Sequence, residues 1–185
     1  MLQAIQSADE TVMLFIQNSL RFEPLSSIAK VITYIGEAGA IWIVIGLLLI
    51  FVLKDKRTGV LVLAGLAIGY LINDILIKNI VMRPRPFIDI PALETLIKHP
   101  SSFSFPSGHS SSGFCSAYII ATRKGGKWRW CYVLAAVIAL SRPYVGVHYL
   151  SDIIVGAVLG TLIGALVSVL EKKLSVFIKS RRKNG

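Results

Sequence analysis

The stretch HYLSDIIVGAVLGTLIGALVSVL, residues 148–170, carries one formal charge, Asp152, in 23 residues. Its length and apolar character fit a helix crossing a hydrocarbon core about 30 Å thick, which takes roughly 20 residues. A carboxylate one turn inside such a helix is costly unless it faces protein or water, so it marks a functional position by default. His148 lies four residues before Asp152, and on a helix the two share a face. The carboxylate can then accept a proton from one imidazole nitrogen and leave the other as nucleophile or base. A purely structural His–Asp pair is the competing reading.

Outward from this stretch the chain repeats its pattern. Of 185 residues, 54% are hydrophobic and 16% charged, with mean hydropathy +0.67, which is more apolar than soluble domains of this size. Six apolar segments are expected, at about 10–34, 38–53, 58–80, 107–122, 129–145 and 148–170. This is an all-α integral membrane bundle of about six transmembrane helices, forming a single domain over 1–185. Residues 8–21 leave two readings open, a span or an amphipathic helix in the interface, because Arg21, Glu23 and Pro24 interrupt the first segment. The start, MLQAIQSADETVM, has no basic n-region before an apolar run, so the first hydrophobic segment is expected to stay in place. Cys115 and Cys131 sit in apolar runs without ligand spacing and read as small hydrophobes.

A net charge of +10 raises nucleic acid as a partner, but the cations bracket apolar segments and form no stripe interleaved with aromatics. Anionic lipid is the better match. KDKR (54–57), RKGGKWR (123–129) and the tail 171–185 hold three, four and six basic residues, thirteen of the chain's twenty. An even number of expected spans separates them, so all three share a side, by the positive-inside rule the cytoplasm. Both termini are then expected inside, and the loops 81–106 and 142–148 outside.

The remaining polar residues gather on that outer side. Lys78, Arg85 and Arg142 supply three fixed cations, which suit a tetrahedral dianion better than a carboxylate or an ester carbonyl. PSGH, 106–109, opens a helix whose free first-turn amides would face the anion, and Gly108 allows close approach. His109, one turn in, is placed to protonate a leaving oxygen. Asp74 lies four residues before Lys78, either orienting it or only neutralising it. Arg83 is read as touching a second phosphate or a lipid headgroup. His99 reads as solvated. Phe87, Phe103 and Phe105 read as interface aromatics, either an entry gate for lipid or simple anchors, Trp128 and Trp130 as the opposite belt, and Glu37 as a turn residue that either borders the site or only breaks the helix.

KNIVMRPRP from Lys78 to Pro86, PSGH from Pro106 to His109 and SRPYVGVHYLSD from Ser141 to Asp152 fill K-x6-R-P, P-S-G-H and S-R-x5-H-x3-D. By these three signatures, spanning 78–152, the chain resembles the type 2 phosphatidic acid phosphatase superfamily of membrane lipid phosphatases, in particular bacterial members acting on undecaprenyl pyrophosphate or phosphatidylglycerophosphate. The resemblance implies two-step phosphoryl transfer on a lipid phosphate at the cell membrane, with no metal or other cofactor. His148 would form a phosphohistidine, Asp152 would hold it, and His109 would protonate the departing group. Lys78, Arg85, Ser107, Gly108 and Arg142 would bind the phosphoryl oxygens. A phosphoryl transferase shares this chemistry. A serine hydrolase built on Ser107 leaves the three cations unexplained, and a lipid transporter lacks a polar path to the other side.

Overall fold

The computed structural model describes residues 2–183. Met1, Asn184 and Gly185 lie outside it, so the basic tail expected over 171–185 is followed only to Lys183. Nine α-helices are described: α1 (Leu2–Phe15), α2 (Glu23–Ile35), α3 (Ala40–Phe51), α4 (Lys56–Tyr70), α5 (Lys78–Val81), α6 (Pro86–Asp89), α7 (Gly108–Lys124), α8 (Trp130–Tyr144) and α9 (Leu150–Lys183). Two stretches, Lys56–Asp89 and Leu150–Ile178, are long and apolar enough to cross a membrane. Glu23–Ile35 and Glu37–Phe51 add a third if the pair, bent by 47°, is one span. At 17 and 15 residues, α7 and α8 fall short of the roughly 20 that a crossing takes, so six crossings do not follow from length alone.

The first expected segment is divided. α1 continues as a π turn through Leu20, and Arg21 and Phe22 are extended before α2 starts with Pro24 in its first turn. Proline fits there because its missing N–H would have no helical partner. From Gln6 to Gln17, α1 touches the 83–97 loop and the start of α9. Gln6 bonds Tyr149, Met13 packs with Ile90, Leu93 and Tyr149, and Gln17 bonds Ala92 and the amide of Glu94. α1 therefore lies across the end of the bundle that carries His148, while α9 runs away from it. The single segment expected over residues 10–34 is two helices, because the polar break at Arg21 turns the chain between α1 and α2.

The basic segments do share the other end. Glu171 pairs with Arg57 and with Arg123 at 3.2 Å, and Asp55 takes Lys124 at 3.1 Å and caps α4 through the amide of Thr58. Glu171 is about 30 Å along α9 from Ser151 at 1.5 Å per residue. Between the two ends, Trp42, Val62, Ile119, Ile120, Ala135 and Ile138 form the core, joined by the buried free thiols Cys115 and Cys131.

The tightest seam joins α7 to α9, and it rests on Gly156, Gly160 and Gly164, spaced by four on one face of α9. A Cβ at Gly156 would stand 2.6 Å from the carbonyl of Ser107, and one at Gly164 2.8 Å from that of Cys115. At Gly160 it would overlap the backbone of Ser111. Small residues at this spacing let two helix backbones approach closely. Because backbone cannot swing aside, Gly160→Val is expected to destabilise the protein by about 3 kcal/mol. A thermal melt in detergent equal to wild type would refute this packing.

Candidate active site

α4 widens into a π-helical stretch, Leu71–Ile77, before α5. Lys78 there donates to Asp74 at 2.6 Å, an ion pair that both readings of Asp74 require, and Asp74 lies on the wall of the site. Met82, with φ +49°, closes α5 in the left-handed region, and the next residues run extended into α6. That turn sends Arg83 and Arg85 to different places.

Arg85 enters the site. Its guanidinium donates to the carbonyls of Ser102 and Val147 at 2.7 and 2.8 Å and to Ser102 Oγ at 3.1 Å, with Nη1 3.3 Å from His148 Nε2. A guanidinium only donates, so His148 Nε2 is the unprotonated nitrogen and Nδ1 carries the hydrogen. Nδ1–H points to Asp152 Oδ2 at 3.4 Å, and the same oxygen accepts the amide of Tyr149 at 2.9 Å and the hydroxyl of Ser104. Asp152 is fully buried. Burial first, then the charges of Arg85, Arg142 and Lys78, hold the His148 imidazole well below its ordinary pKa, so the ring is neutral.

Opposite stands His109, at the second residue of α7. Its Nε2 lies 3.2 Å from the carbonyl of Thr33, one of the last carbonyls of α2, which lack a helical partner, and 3.8 Å from Glu37. Gly36 makes this approach possible, since a Cβ there would meet Ile138 at 2.5 Å and His109 at 2.9 Å. Arg142 reaches over from α8 and donates to Thr33 Oγ1. Glu37 itself sits on a tight turn in which Ala38 and Gly39 have φ +49° and +71°.

These groups enclose a cavity of about 290 Å³. Of the eight residues singled out in the sequence, Lys78, Arg85, Gly108, His109, Arg142 and His148 line it, together with Glu37, Asp74, Leu66 and Tyr70. Two stand behind. Asp152 backs His148, and Ser107 is buried with its hydroxyl unpartnered while its N–H donates to the Asp152 carbonyl at 3.1 Å. The helix itself starts at Gly108 with Ser107 as cap, so the amides left for an anion are those of Gly108, His109 and Ser110. Gly108 also faces Asp74, whose carboxylate oxygens would lie 3.1 and 3.2 Å from an added Cβ. Among the described residues, no three His, Cys, Asp or Glu side chains gather as a metal ion would need.

Arg83 corrects an expectation. It does not border the cavity. It donates to Asp152 Oδ1 at 2.7 Å, Asp9 Oδ2 at 2.8 Å, Gln6 Oε1 at 2.7 Å and Ser151 Oγ at 2.8 Å, so both terminal nitrogens are committed to protein acceptors away from the cavity. His99 is exposed as expected, and its ring stacks on Phe87 with centroids 4.1 Å apart. The sequence did not disclose Ser104 or Asp9 as partners. A hydroxyl between Phe103 and Phe105 was the one signal for Ser104, and an acid on a polar helix face gave none for Asp9.

A family model described as the PAP2 superfamily matches residues 58–175. The chain is 36% identical, over 84% of its length and 86% of the relative's, to a decaprenylphosphoryl-5-phosphoribose phosphatase of Mycobacterium tuberculosis. It is 32% identical to phosphatidylglycerophosphatase B of Bacillus subtilis, over 94% of this chain and 88% of that one. The crystal structure of a transmembrane PAP2 type phosphatidylglycerolphosphate phosphatase from Bacillus subtilis superposes with a TM-score of 0.77 at 30% identity, covering 92% of this chain and 87% of the other.

Proposed function

The chain belongs to the PAP2 superfamily of membrane lipid phosphatases, and from that premise we propose that it hydrolyses a lipid phosphate or diphosphate, without a metal, through a phosphohistidine at His148. The observation that carries the reading is the meeting of two imidazoles, His148 and His109, with three cations, Lys78, Arg85 and Arg142, around one cavity. Phosphoryl transfer is catalysed chiefly by positioning and by stabilising charge on the equatorial oxygens, and these side chains supply both.

In the first step His148 Nε2 attacks phosphorus as the bond to the leaving oxygen breaks. His109 gives its proton to that oxygen, releasing a lipid alcohol from a monoester or a lipid monophosphate from a diphosphate. In the second step water attacks the phosphohistidine, His109 takes its proton, the P–N bond breaks and inorganic phosphate leaves. Asp152 accepts from Nδ1 throughout and stabilises the charge the ring acquires.

We place the cavity at the outer face. The ion pairs of Arg57, Arg123 and Lys124 gather cations at the far end, as the positive-inside rule expects of the cytoplasmic side. α3, α4 with α5, α7, α8 and α9 then make five crossings, α2 joining α3 as one bent span, with α1 on the outer surface and the tail inside. The whole chain acts as one domain. An isoprenoid phosphate or diphosphate is the favoured substrate, supported by the Mycobacterium tuberculosis relative and by release outside the cell, with phosphatidylglycerophosphate and phosphatidic acid next.

Phosphate release by the purified protein from a panel of these lipids in detergent tests the reading. Turnover is expected to persist in EDTA and to be blocked by vanadate but not by serine-directed fluorophosphonates. A strict magnesium requirement would overturn the metal-free mechanism, and release from none of the panel would overturn the substrate class.

A further inference from the structure

We propose that Arg83 is a positioning residue for the His148–Asp152 pair, anchored by Asp9 on the N-terminal helix; the proposal rests on the phosphohistidine reading above. Asp152 presents two oxygens. Oδ2 receives His148 Nδ1, the Tyr149 amide and the Ser104 hydroxyl, whereas Oδ1 is held by Arg83 Nη1 at 2.7 Å. Fixing Oδ1 fixes the rotation of the carboxylate, and that rotation decides where Oδ2 meets the imidazole.

Arg83 is itself immobilised. Its other nitrogen donates to Gln6 and Asp9, Nη1 is shared with Ser151 Oγ, and the guanidinium lies 4.0 Å over the ring of Tyr149. Asp9 is buried, and besides Arg83 it accepts the backbone N–H of Ser151 at 3.0 Å. Tyr149, just before α9, offers no capping oxygen, so Asp9 supplies from another element the acceptor that the first turn of α9 needs. Asp9, Arg83 and Asp152 thus form an alternating charge row, and α1 becomes part of the machinery that aims the nucleophile. Guanidinium geometry matters here because four acceptors are reached at once, which a lysine cannot do.

The test uses the full-length protein in detergent with phosphorus-labelled short-chain phosphatidic acid, followed by alkaline quench to keep a phosphohistidine intact. Arg83→Gln is expected to slow formation of the labelled enzyme by roughly 10- to 100-fold, the scale of a misplacement of about 1 Å, while vanadate still binds as in wild type because the phosphate-facing cations are untouched. Asp9→Asn is expected to act in the same direction, the double variant being no slower than Arg83→Gln alone, since both break one row. Arg83→Lys is expected to restore part of the rate. A merely structural arginine would lower the amplitude of labelling, the amount of active protein, and leave its rate unchanged. That result, or a wild-type rate in both single variants, overturns the proposal. No labelling of the wild type during turnover would instead overturn the phosphohistidine reading itself. If Arg83→Gln does not fold, the isosteric Asp9→Asn decides by the same rate-against-amplitude comparison.

Discussion

His148→Ala is expected to lower turnover of every accepted lipid phosphate by on the order of 10⁴- to 10⁶-fold, the range seen when a covalent nucleophile is removed and only binding and charge stabilisation remain. The size of the effect follows from the geometry. Nε2 is the unprotonated nitrogen, 3.3 Å from the guanidinium that would hold a phosphoryl oxygen beside it, and the buried Asp152 carboxylate backs the ring at Nδ1. Burial first, then the charges of Arg85, Arg142 and Lys78, keep the ring neutral, so an unprotonated Nε2 is expected through the physiological pH range. The fold should survive, since Asp152 retains Ser104, the Tyr149 amide and Arg83 when the imidazole is gone. Phosphate release and alkaline-stable labelling of the purified variant check this. Turnover at the wild-type rate would move the nucleophile elsewhere, with Ser107, behind the cavity wall, the next residue to label.

Much of this site was legible because its chemistry is dense in polar groups where the rest of the chain is apolar. Lys78, Arg85, Arg142, His109 and His148 stand out against runs of Leu, Ile and Val, and all five reach one cavity. The shared end of the basic segments was legible for a similar reason, since loop charges survive whatever the helices between them do. Less legible was the course of a partly polar helix. Residues 10–34 have the length of a span, and only the extended backbone at Arg21 and Phe22 separates α1 from α2. Arg83 failed differently. Its neighbour Arg85 is two residues away and faces the site, but the left-handed turn at Met82 sends Arg83 toward Asp9, a residue 74 positions earlier. A pairing over that separation leaves no periodic trace in one sequence. The glycines of α9 lie between these cases: their spacing is visible, but that they meet Ser107, Ser111 and Cys115 is a fact of the packing.

His109→Ala is the second large effect expected, about 10²- to 10⁴-fold on lipid substrates, the usual contribution of a general acid. Its test separates the two imidazoles by the leaving group. A lipid alkoxide is a strong base and needs a proton as the P–O bond breaks, whereas a nitrophenolate departs without one. In His109→Ala the labelling step with p-nitrophenyl phosphate should therefore recover most of the wild-type rate while that with a lipid monophosphate stays slow. His148→Ala should recover with neither. The two rings differ in their surroundings: Nε2 of His109 donates to the Thr33 carbonyl, which leaves Nδ1 as the nitrogen free to exchange a proton with substrate, while Nε2 of His148 faces a guanidinium, a donor that keeps hydrogen off. Glu37 lies 3.8 Å from the His109 ring at the mouth of the cavity. Equal losses with both leaving groups in His109→Ala would mean that this ring binds phosphate and does not deliver the proton.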